Sequence, residues 1–184
     1  MSDVTKDLLD ETQGYVEQAK AKAAKAKKPW QTWLDAEWGF RNHWYPASLS
    51  RDLGEGDSKG IELLGEEILV TRQEGKIRAL EDRCPHRGIR FSSRPLFYTK
   101  ETLTCWYHTW TFDIEDGNLR TILSSPDSKM IGKCSLKVYP VEERKGVIFI
   151  FVGDIEPPPL HCDVAPGFLD DNAIVYCAEP YDIK

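Results

Sequence analysis

Two short motifs in the middle of the sequence each combine a cysteine with a histidine. The first reads CPHRG from Cys84, the second reads CWYHTW from Cys105, and 18 residues separate His86 from Cys105. The candidate metal ligands are therefore Cys84, His86, Cys105 and His108. Two thiolates and two imidazoles suit a binuclear iron–sulfur site of mixed ligation. Neutral imidazoles remove negative charge from such a cluster, which raises its reduction potential above that of an all-cysteine cluster.

A structural zinc site is the main alternative for the same four side chains, because two cysteines and two histidines also bind zinc tetrahedrally. Zinc fingers, however, place Cys near Cys and His near His, at spacings of about two to four and three to five residues. Here each motif mixes the two types, and a single residue separates Cys84 from His86. The spacing favours the binuclear cluster.

The elements around the motifs are short and rich in apolar or β-branched residues, with Gly-containing turn signals between them. This density of short segments predicts a mainly β fold, an antiparallel sandwich or barrel rather than a parallel α/β sheet. The predicted strands are Ile61–Leu64, Ile68–Thr71, Ile77–Leu80, Leu103–Cys105, Thr111–Ile114, Lys137–Tyr139 and Val147–Val152, with a further candidate at Ala173–Ala178.

The first part of the chain has a different pattern. Between residues 3 and 28 apolar residues recur at roughly helical spacing, with aspartates near the start and lysines near the end, which predicts a helix. A second stretch, Trp30 to Trp38, spaces its tryptophans for packing. We therefore separate an N-terminal helical segment, 1–38, from a β domain that begins at residue 39.

The composition limits the classes of function. The chain of 184 residues carries a net charge of −6, which argues against nucleic acid as a partner, since phosphate binding calls for a basic face. No run of about 18 apolar residues predicts a membrane span, and the acidic N-terminus is unlike a secretory signal. Cys134, Cys162 and Cys177 lack ligand spacing and are interpreted as reduced thiols. We expect a cytoplasmic protein that binds neither nucleic acid nor membrane.

The two motifs resemble the Rieske centre of the non-haem iron aromatic-ring-hydroxylating oxygenases. Four further segments are similar to terminal oxygenase α-subunits of the carbazole dioxygenase and 2-oxoquinoline monooxygenase type: GFRNHWYP (39–46), IG (131–132), YPV (139–141) and GD…PPPL (153–160). The resemblance covers most of residues 36–171. It implies a Rieske domain of three antiparallel sheets over 39–171. A 2Fe–2S cluster is implied at the tip of two loops, with Cys84 and Cys105 on one iron and His86 and His108 on the other.

The same resemblance implies a role in electron transfer. Electrons from a ferredoxin or reductase would pass through the cluster to a mononuclear Fe(II), held by two His and a carboxylate in a second domain. Only His43 and His161 lie outside the motifs, without ligand spacing to each other, so we expect no catalytic residue in this segment. Residues 172–184 are expected to begin the connection to that second domain. The full-length subunit is expected to form a homotrimer in which His108 faces a neighbouring catalytic iron.

The respiratory type of Rieske protein has one more cysteine in each loop, and the two form a disulfide. Ile89 and Tyr107 stand at the corresponding positions here, so the resemblance implies a potential at the low end of the Rieske range, about −150 mV. Tyr107 and Trp110 flank His108 in the sequence and are expected to shield the cluster.

A basic segment accompanies the first motif. Between residues 83 and 100 there are five basic residues and no acidic one, a net charge of +5. We interpret this segment as a basic collar that steers an acidic ferredoxin; the alternative is a solvated loop tied by salt bridges. The collar consists of Arg83, Arg87, Arg90, Arg94 and Lys100.

A stand-alone Rieske-type ferredoxin is the second interpretation of the whole chain. A minimal carrier needs neither the N-terminal helix nor the tryptophan-rich stretch. It also does not need a tail of about 70 residues after the second motif. The sequence therefore favours an oxygenase domain over a carrier.

Overall fold

The computed structural model of the protein describes residues 40–174, and these form ten strands and four single turns of 3-10 helix. The strands are β1 His43–Leu49, β2 Ser58–Leu63, β3 Glu66–Gln73, β4 Lys76–Glu81, β5 Thr102–Thr104, β6 Trp110–Asp113, β7 Leu119–Ile122, β8 Val138–Tyr139, β9 Val141–Arg144 and β10 Val147–Val152. The 3-10 turns are Ser50–Asp52, Phe91–Ser93, Leu160–Cys162 and Pro166–Phe168.

The strands form three antiparallel sheets. The first sheet has the order β1-β10-β9, the second β2-β3-β4-β8, and the third β5-β6-β7. This confirms the predicted mainly β antiparallel fold. The predicted helix over 3–28 and the Trp30–Trp38 stretch lie outside the described residues, as does most of the candidate strand Ala173–Ala178.

Three of the hairpins share one turn geometry. The pairs Leu64-Gly65, Glu74-Gly75 and Lys145-Gly146 each have two successive residues at positive φ. Two residues of this kind make a type I′ turn, whose twist matches that of the strands it joins. Glycine at the second position makes the left-handed conformation inexpensive there. These turns set the register of β2 on β3, of β3 on β4 and of β9 on β10.

The central strands are buried on both faces. All six residues of β10 are buried between β1 and β9, which explains why its sequence is an uninterrupted apolar run instead of an alternating one. The register pairs Trp44 with Phe151 and Pro46 with Phe149, and a bulge follows Pro46. A proline is tolerated at this position because β1 is an edge strand of its sheet.

One apolar core joins the second and third sheets. Leu69 and Leu80 from β3 and β4 contact the same cluster as Leu103 and Phe112 from β5 and β6. Two cysteines, Cys84 and Cys105, belong to this core. A separate core, which includes Ile68, Ile148 and Tyr139, packs the second sheet against the first. The candidate ligands therefore lie at one end of the domain, on the sheet pair that shares the first core.

The seven predicted strands between residues 61 and 152 all overlap observed ones, and three observed strands were not predicted. These are β1, β7 and β9. The segment of β1 contains a proline and four consecutive bulky or polar residues. Strand β7 has only four residues and a bulge in its pairing. Strand β9 carries two successive glutamates. In each case strand pairing outweighs a weak local pattern.

No helix in the described part of the chain is long and apolar enough to span a bilayer.

The turn between β6 and β7 should depend strongly on Gly117. This residue has φ of +73°, and a Cβ added there would lie 2.3 Å from the carbonyl oxygen of Leu136. Gly132 has the same φ but open space around its Cβ position, so Gly132→Ala is the matched control for backbone strain alone. We expect Gly132→Ala to lower the free energy of unfolding by about 1–2 kcal/mol. Gly117→Ala should lower the free energy of unfolding by about 1–3 kcal/mol more, because the added Cβ clashes with the carbonyl oxygen of Leu136.

Denaturant unfolding of both variants measures the difference. Equal losses for the two variants would show that Leu136 moves aside without cost.

Candidate metal centre

The first candidate loop leaves the second sheet at the end of β4. Its backbone closes on itself: the Cys84 N–H donates to the carbonyl of Ile89 at 2.9 Å, and the Gly88 N–H donates to the carbonyl of Cys84 at 2.7 Å. Gly88 has φ of +69°, a conformation that glycine adopts without a steric cost. His86 lies inside the loop that these two hydrogen bonds close.

The second candidate loop joins β5 to β6 and has the same backbone pattern. The Cys105 N–H donates to the carbonyl of Trp110 at 2.8 Å, and the Thr109 N–H donates to the carbonyl of Cys105 at 2.9 Å. Thr109 has φ of +56°. His108 therefore lies in a loop whose backbone resembles that of the first loop, although the two sequences differ.

The fold brings the four predicted ligands together as like pairs. Cys84 and Cys105 belong to the same core cluster, close enough for Cys105 to raise the pKa of the Cys84 thiol, and both residues are almost fully buried, at 1% and 2% exposure. The rings of His86 and His108 lie 4.7 Å apart between centroids, with an interplanar angle of 71°. Each pair takes one member from each loop. The cysteine pair lies in the core, and the histidine pair lies nearer the surface.

This arrangement fits a binuclear cluster. In a binuclear cluster of mixed ligation, one iron takes a cysteine pair and the other takes a histidine pair. Within residues 40–174, no group of three or more His, Cys, Asp or Glu side chains is arranged for a single metal ion. Nδ1 of His108 is buried and has no hydrogen-bond partner in that range. A buried nitrogen without a partner is costly, and a metal bond at Nδ1 would remove that cost.

The protonation of the candidate ligands follows from their burial. Desolvation raises the pKa of the Cys84 thiol to about 12, although backbone N–H groups of His86 and Arg87 directed at the sulfur lower it. Desolvation also lowers the pKa of His86, helped by the neighbouring His108 and Arg87. A neutral imidazole is the form that ligates a metal, whereas a thiol must release its proton to do so. The N–H groups aimed at Cys84 would stabilise the resulting thiolate.

Aromatic side chains cover both histidines. The Trp110 indole stacks on the His86 imidazole, with centroids 4.9 Å apart and planes only 4° from parallel. The Tyr107 ring contacts His108, with centroids 3.9 Å apart. Of the two aromatics expected to shield the cluster, Tyr107 lies against its sequence neighbour His108, whereas Trp110 lies against His86 of the other loop. The Trp110 side chain crosses to the other loop because β6, which begins at Trp110, directs it into the core.

The basic collar is partly neutralised. Arg83 and Arg90 both form ion pairs with Glu67 of β3, the former at 2.6 Å, and Lys100 lies 3.8 Å from Glu74. The two guanidiniums, Arg90 foremost, lower the pKa of Glu67. Arg87 and Arg94 are exposed, and neither has a carboxylate at ion-pair distance among residues 40–174.

The sequence pattern did not identify two acidic residues that support the first loop. Glu67 lies 16 positions before Arg83, so nothing in the local pattern indicates their pairing. Asp82 is buried at 2% exposure and accepts hydrogen bonds from the Ser92 N–H, at 2.8 Å, and from the Ser92 hydroxyl. The signal available in the sequence was an aspartate two positions before a candidate ligand cysteine. Its hydrogen-bond partner, Ser92, lies ten residues further along the chain, so the pairing is not visible locally. Asp82 thus anchors the segment that follows the first loop.

The two remaining histidines lie apart from the candidate ligands. His43 pairs through Nδ1 with the Asp163 carboxylate at 2.6 Å, and its side chain is 48% exposed. His161 lies in the 3-10 turn Leu160–Cys162.

A comparison with known proteins places the fold and site in one family. The profile of the Rieske [2Fe-2S] domain matches residues 43–140, more than half of the chain. The chain therefore belongs to the Rieske domain family, whose cofactor is a 2Fe–2S cluster.

Two relatives and one solved structure show which Rieske proteins this chain is similar to. The terminal oxygenase component of carbazole 1,9a-dioxygenase from Sphingomonas sp is 49% identical over 154 residues, which is 84% of this chain and 41% of the relative. The same component from Metapseudomonas resinovorans is 51% identical over 148 residues, 80% of this chain and 38% of the relative. A solved reduced complex between oxygenase and ferredoxin in carbazole 1,9a-dioxygenase matches with a TM-score of 0.72 at 53% identity, over 75% of this chain and 35% of that chain. This chain spans about two fifths of the length of these curated relatives.

Removing the Asp82 carboxylate should loosen the first loop. Asp82→Ala leaves the Ser92 N–H and hydroxyl without their acceptor in a buried site, so we expect the free energy of unfolding to fall by about 2–3 kcal/mol. Ser92→Ala is the matched control, because it removes one hydrogen bond and keeps the other; about 1 kcal/mol is expected. Urea unfolding followed by fluorescence measures both. A loss of the same size for the two variants would contradict the anchoring role of Asp82.

Proposed function

We propose that this chain holds a Rieske 2Fe–2S cluster with Cys84 and Cys105 on one iron and His86 and His108 on the other. The observation that carries the proposal is the pairing of like ligands across the two loops, with the two thiols in one core cluster and the two imidazoles adjacent. The unpartnered Nδ1 of His108 is the atom we assign to iron. The two cysteines would fix the inner iron to the core, and the two histidines would hold the outer iron near the surface.

The cluster supplies reversible one-electron transfer when bound. The protein residues determine its surroundings. Burial of Cys84 and Cys105 would keep water from an iron bound there, and the N–H groups directed at Cys84 would counter the negative charge on its sulfur. Trp110 and Tyr107 hold the two imidazole planes. If Nδ1 binds iron, Nε2 of each histidine is the ring atom left to face outward, which gives electrons a short route between cluster and surface.

We further propose that this is the electron-transfer domain of an aromatic-ring-hydroxylating oxygenase. It would pass electrons from a ferredoxin or reductase to a mononuclear non-haem iron in the catalytic domain of the full-length subunit, within a homotrimer. Identities of 49–51% to carbazole 1,9a-dioxygenase terminal oxygenase components, over at least 80% of this chain, support this proposal over a stand-alone ferredoxin. The aromatic substrate belongs to the catalytic domain. The cytoplasmic location stays a prediction from the sequence.

The proposed docking surface for ferredoxin is the collar around the first loop. The solved relatives include oxygenase–ferredoxin complexes, and an acidic carrier suits a basic surface. Because Arg83 and Arg90 share Glu67 and Lys100 lies near Glu74, the steering charge should come mainly from Arg87 and Arg94. Arg87 directly follows the ligand His86.

Purified protein should contain two irons and two acid-labile sulfides per chain, and the reduced form should show the EPR signal of mixed Cys/His ligation. His108→Ala should abolish the signal and lower thermal stability, because the two loops lose a shared anchor. Cys134→Ser is the control, since Cys134 packs on the core without a proposed ligand role, and it should keep the full cluster content. One zinc per chain with no sulfide would contradict the proposal.

Reversal of an unpaired collar charge should slow reduction by a cognate ferredoxin. Arg87→Glu is expected to lower the association rate by roughly 10-fold or more at low ionic strength. The difference should disappear near 1 M salt, where the Debye length is about 3 Å. Lys76→Glu changes the net charge equally but at the far end of β4, so it should have little effect. Stopped-flow reduction across a salt series measures this; equal slowing by both variants, or at every salt concentration, would contradict a specific collar.

A further inference from the structure

The two ligand loops share a backbone pattern but have different residues at its left-handed position. Gly88 in the first loop and Thr109 in the second each donate their N–H to the carbonyl of the loop's cysteine, and both have positive φ, +69° and +56°. Each residue also directly precedes the residue whose carbonyl accepts the cysteine N–H. Glycine adopts this left-handed conformation freely. For a β-branched residue such as threonine it is a strained outlier.

The Thr109 side chain makes a contact that glycine lacks. Its Oγ1 accepts the backbone N–H of Ser124 at 3.0 Å, while its carbonyl accepts the N–H of Leu123 at 3.2 Å. The Ser124 hydroxyl in turn donates to the carbonyl of His108 at 3.2 Å. Three hydrogen bonds therefore tie the His108-Thr109 dipeptide to residues 123–124, the segment that directly follows β7.

The two histidines are supported differently. Trp110 stacks in parallel on His86, so the first imidazole is held by a broad aromatic contact. His108 has the exposed ring of Tyr107 on it, with planes 50° apart. The backbone of His108 is instead fixed from outside its own loop by residues 123–124. A strained residue persists where the surrounding structure holds it in place, and here the hydroxyl contact provides that hold.

We propose that Thr109 is a positioning residue for His108: its strained backbone is retained because Oγ1 binds the Ser124 N–H and thereby fixes the plane of the second histidine ligand. The proposal rests on the ligand role of His108 stated above. It makes residues 123–124 a third segment of the cluster site, beside the two loops that supply the ligands.

Three substitutions at Thr109 separate the hydroxyl contact from the backbone strain. Thr109→Ser keeps the hydroxyl and should match the unaltered protein. Thr109→Val keeps the branched shape and the strain but loses the acceptor. Thr109→Gly relieves the strain and also loses the acceptor. We expect Val and Gly to release iron to a chelator roughly five- to tenfold faster and to broaden or shift the EPR g values of the reduced cluster.

Thermal unfolding of the same variants distinguishes a positioning role from a merely structural one. Thr109→Gly should unfold no earlier than Thr109→Val, because its backbone is relaxed, and yet it should show the same altered EPR signal. Ser124→Ala removes only the bond to the His108 carbonyl, and its signal should shift in the same direction by a smaller amount.

The outcomes distinguish this proposal from the one on which it rests. If the unaltered protein shows the Rieske EPR signal and Thr109→Gly and Thr109→Val match it in g values and iron release, Thr109 has no positioning role. If Thr109→Ser is altered as strongly as Thr109→Val, the hydroxyl contact is not the cause, and the proposal is overturned. Absence of the Rieske signal from the unaltered protein would instead overturn the proposed ligand set.

Discussion

The burial of two cysteines in one apolar core is the constraint on which the site depends. Cys84 follows β4 of the second sheet and Cys105 follows β5 of the third, and both belong to the apolar core that packs these sheets together. Burying apolar side chains such as Leu80 and Leu103 stabilises the fold by roughly 1.5–3 kcal/mol each, and the same packing brings the two thiols together. The apolar core therefore brings half of the proposed ligand set together.

The positions of the histidines follow from that constraint. His86 lies two residues after its cysteine and His108 three residues after, and each loop turns back on itself through a residue at positive φ. With the cysteines fixed inside, turns this short keep the imidazoles at the outer edge of the same site. An electron-transfer centre needs an inner side that excludes water and an outer side within reach of a partner. Here both requirements are met by one hydrogen-bonding pattern used twice.

Most of the strands were predictable because their signals are local, and the proposed ligand set likewise rests on a local signal. Cys/His spacing lies within each motif, and β10 is an unbroken run of apolar and β-branched residues. Interactions between distant segments were not predictable. β1 contains Pro46 and becomes a strand only by pairing with β10, and the side chain of Trp110 crosses from one loop to stack on His86 in the other.

The collar shows why a local charge count is incomplete. Five basic residues lie within 18 positions, yet the carboxylates that pair with three of them come from Glu67 and from Glu74. The Lys100–Glu74 pair carries no net charge, and Arg83, Arg90 and Glu67 together retain a single positive charge, so the field of the collar at a distance is weaker than five basic residues imply. Arg87 retains its field and adjoins a ligand histidine. Under the proposed function, the charge of Arg87 lies where the negative surface of a carrier would approach the cluster.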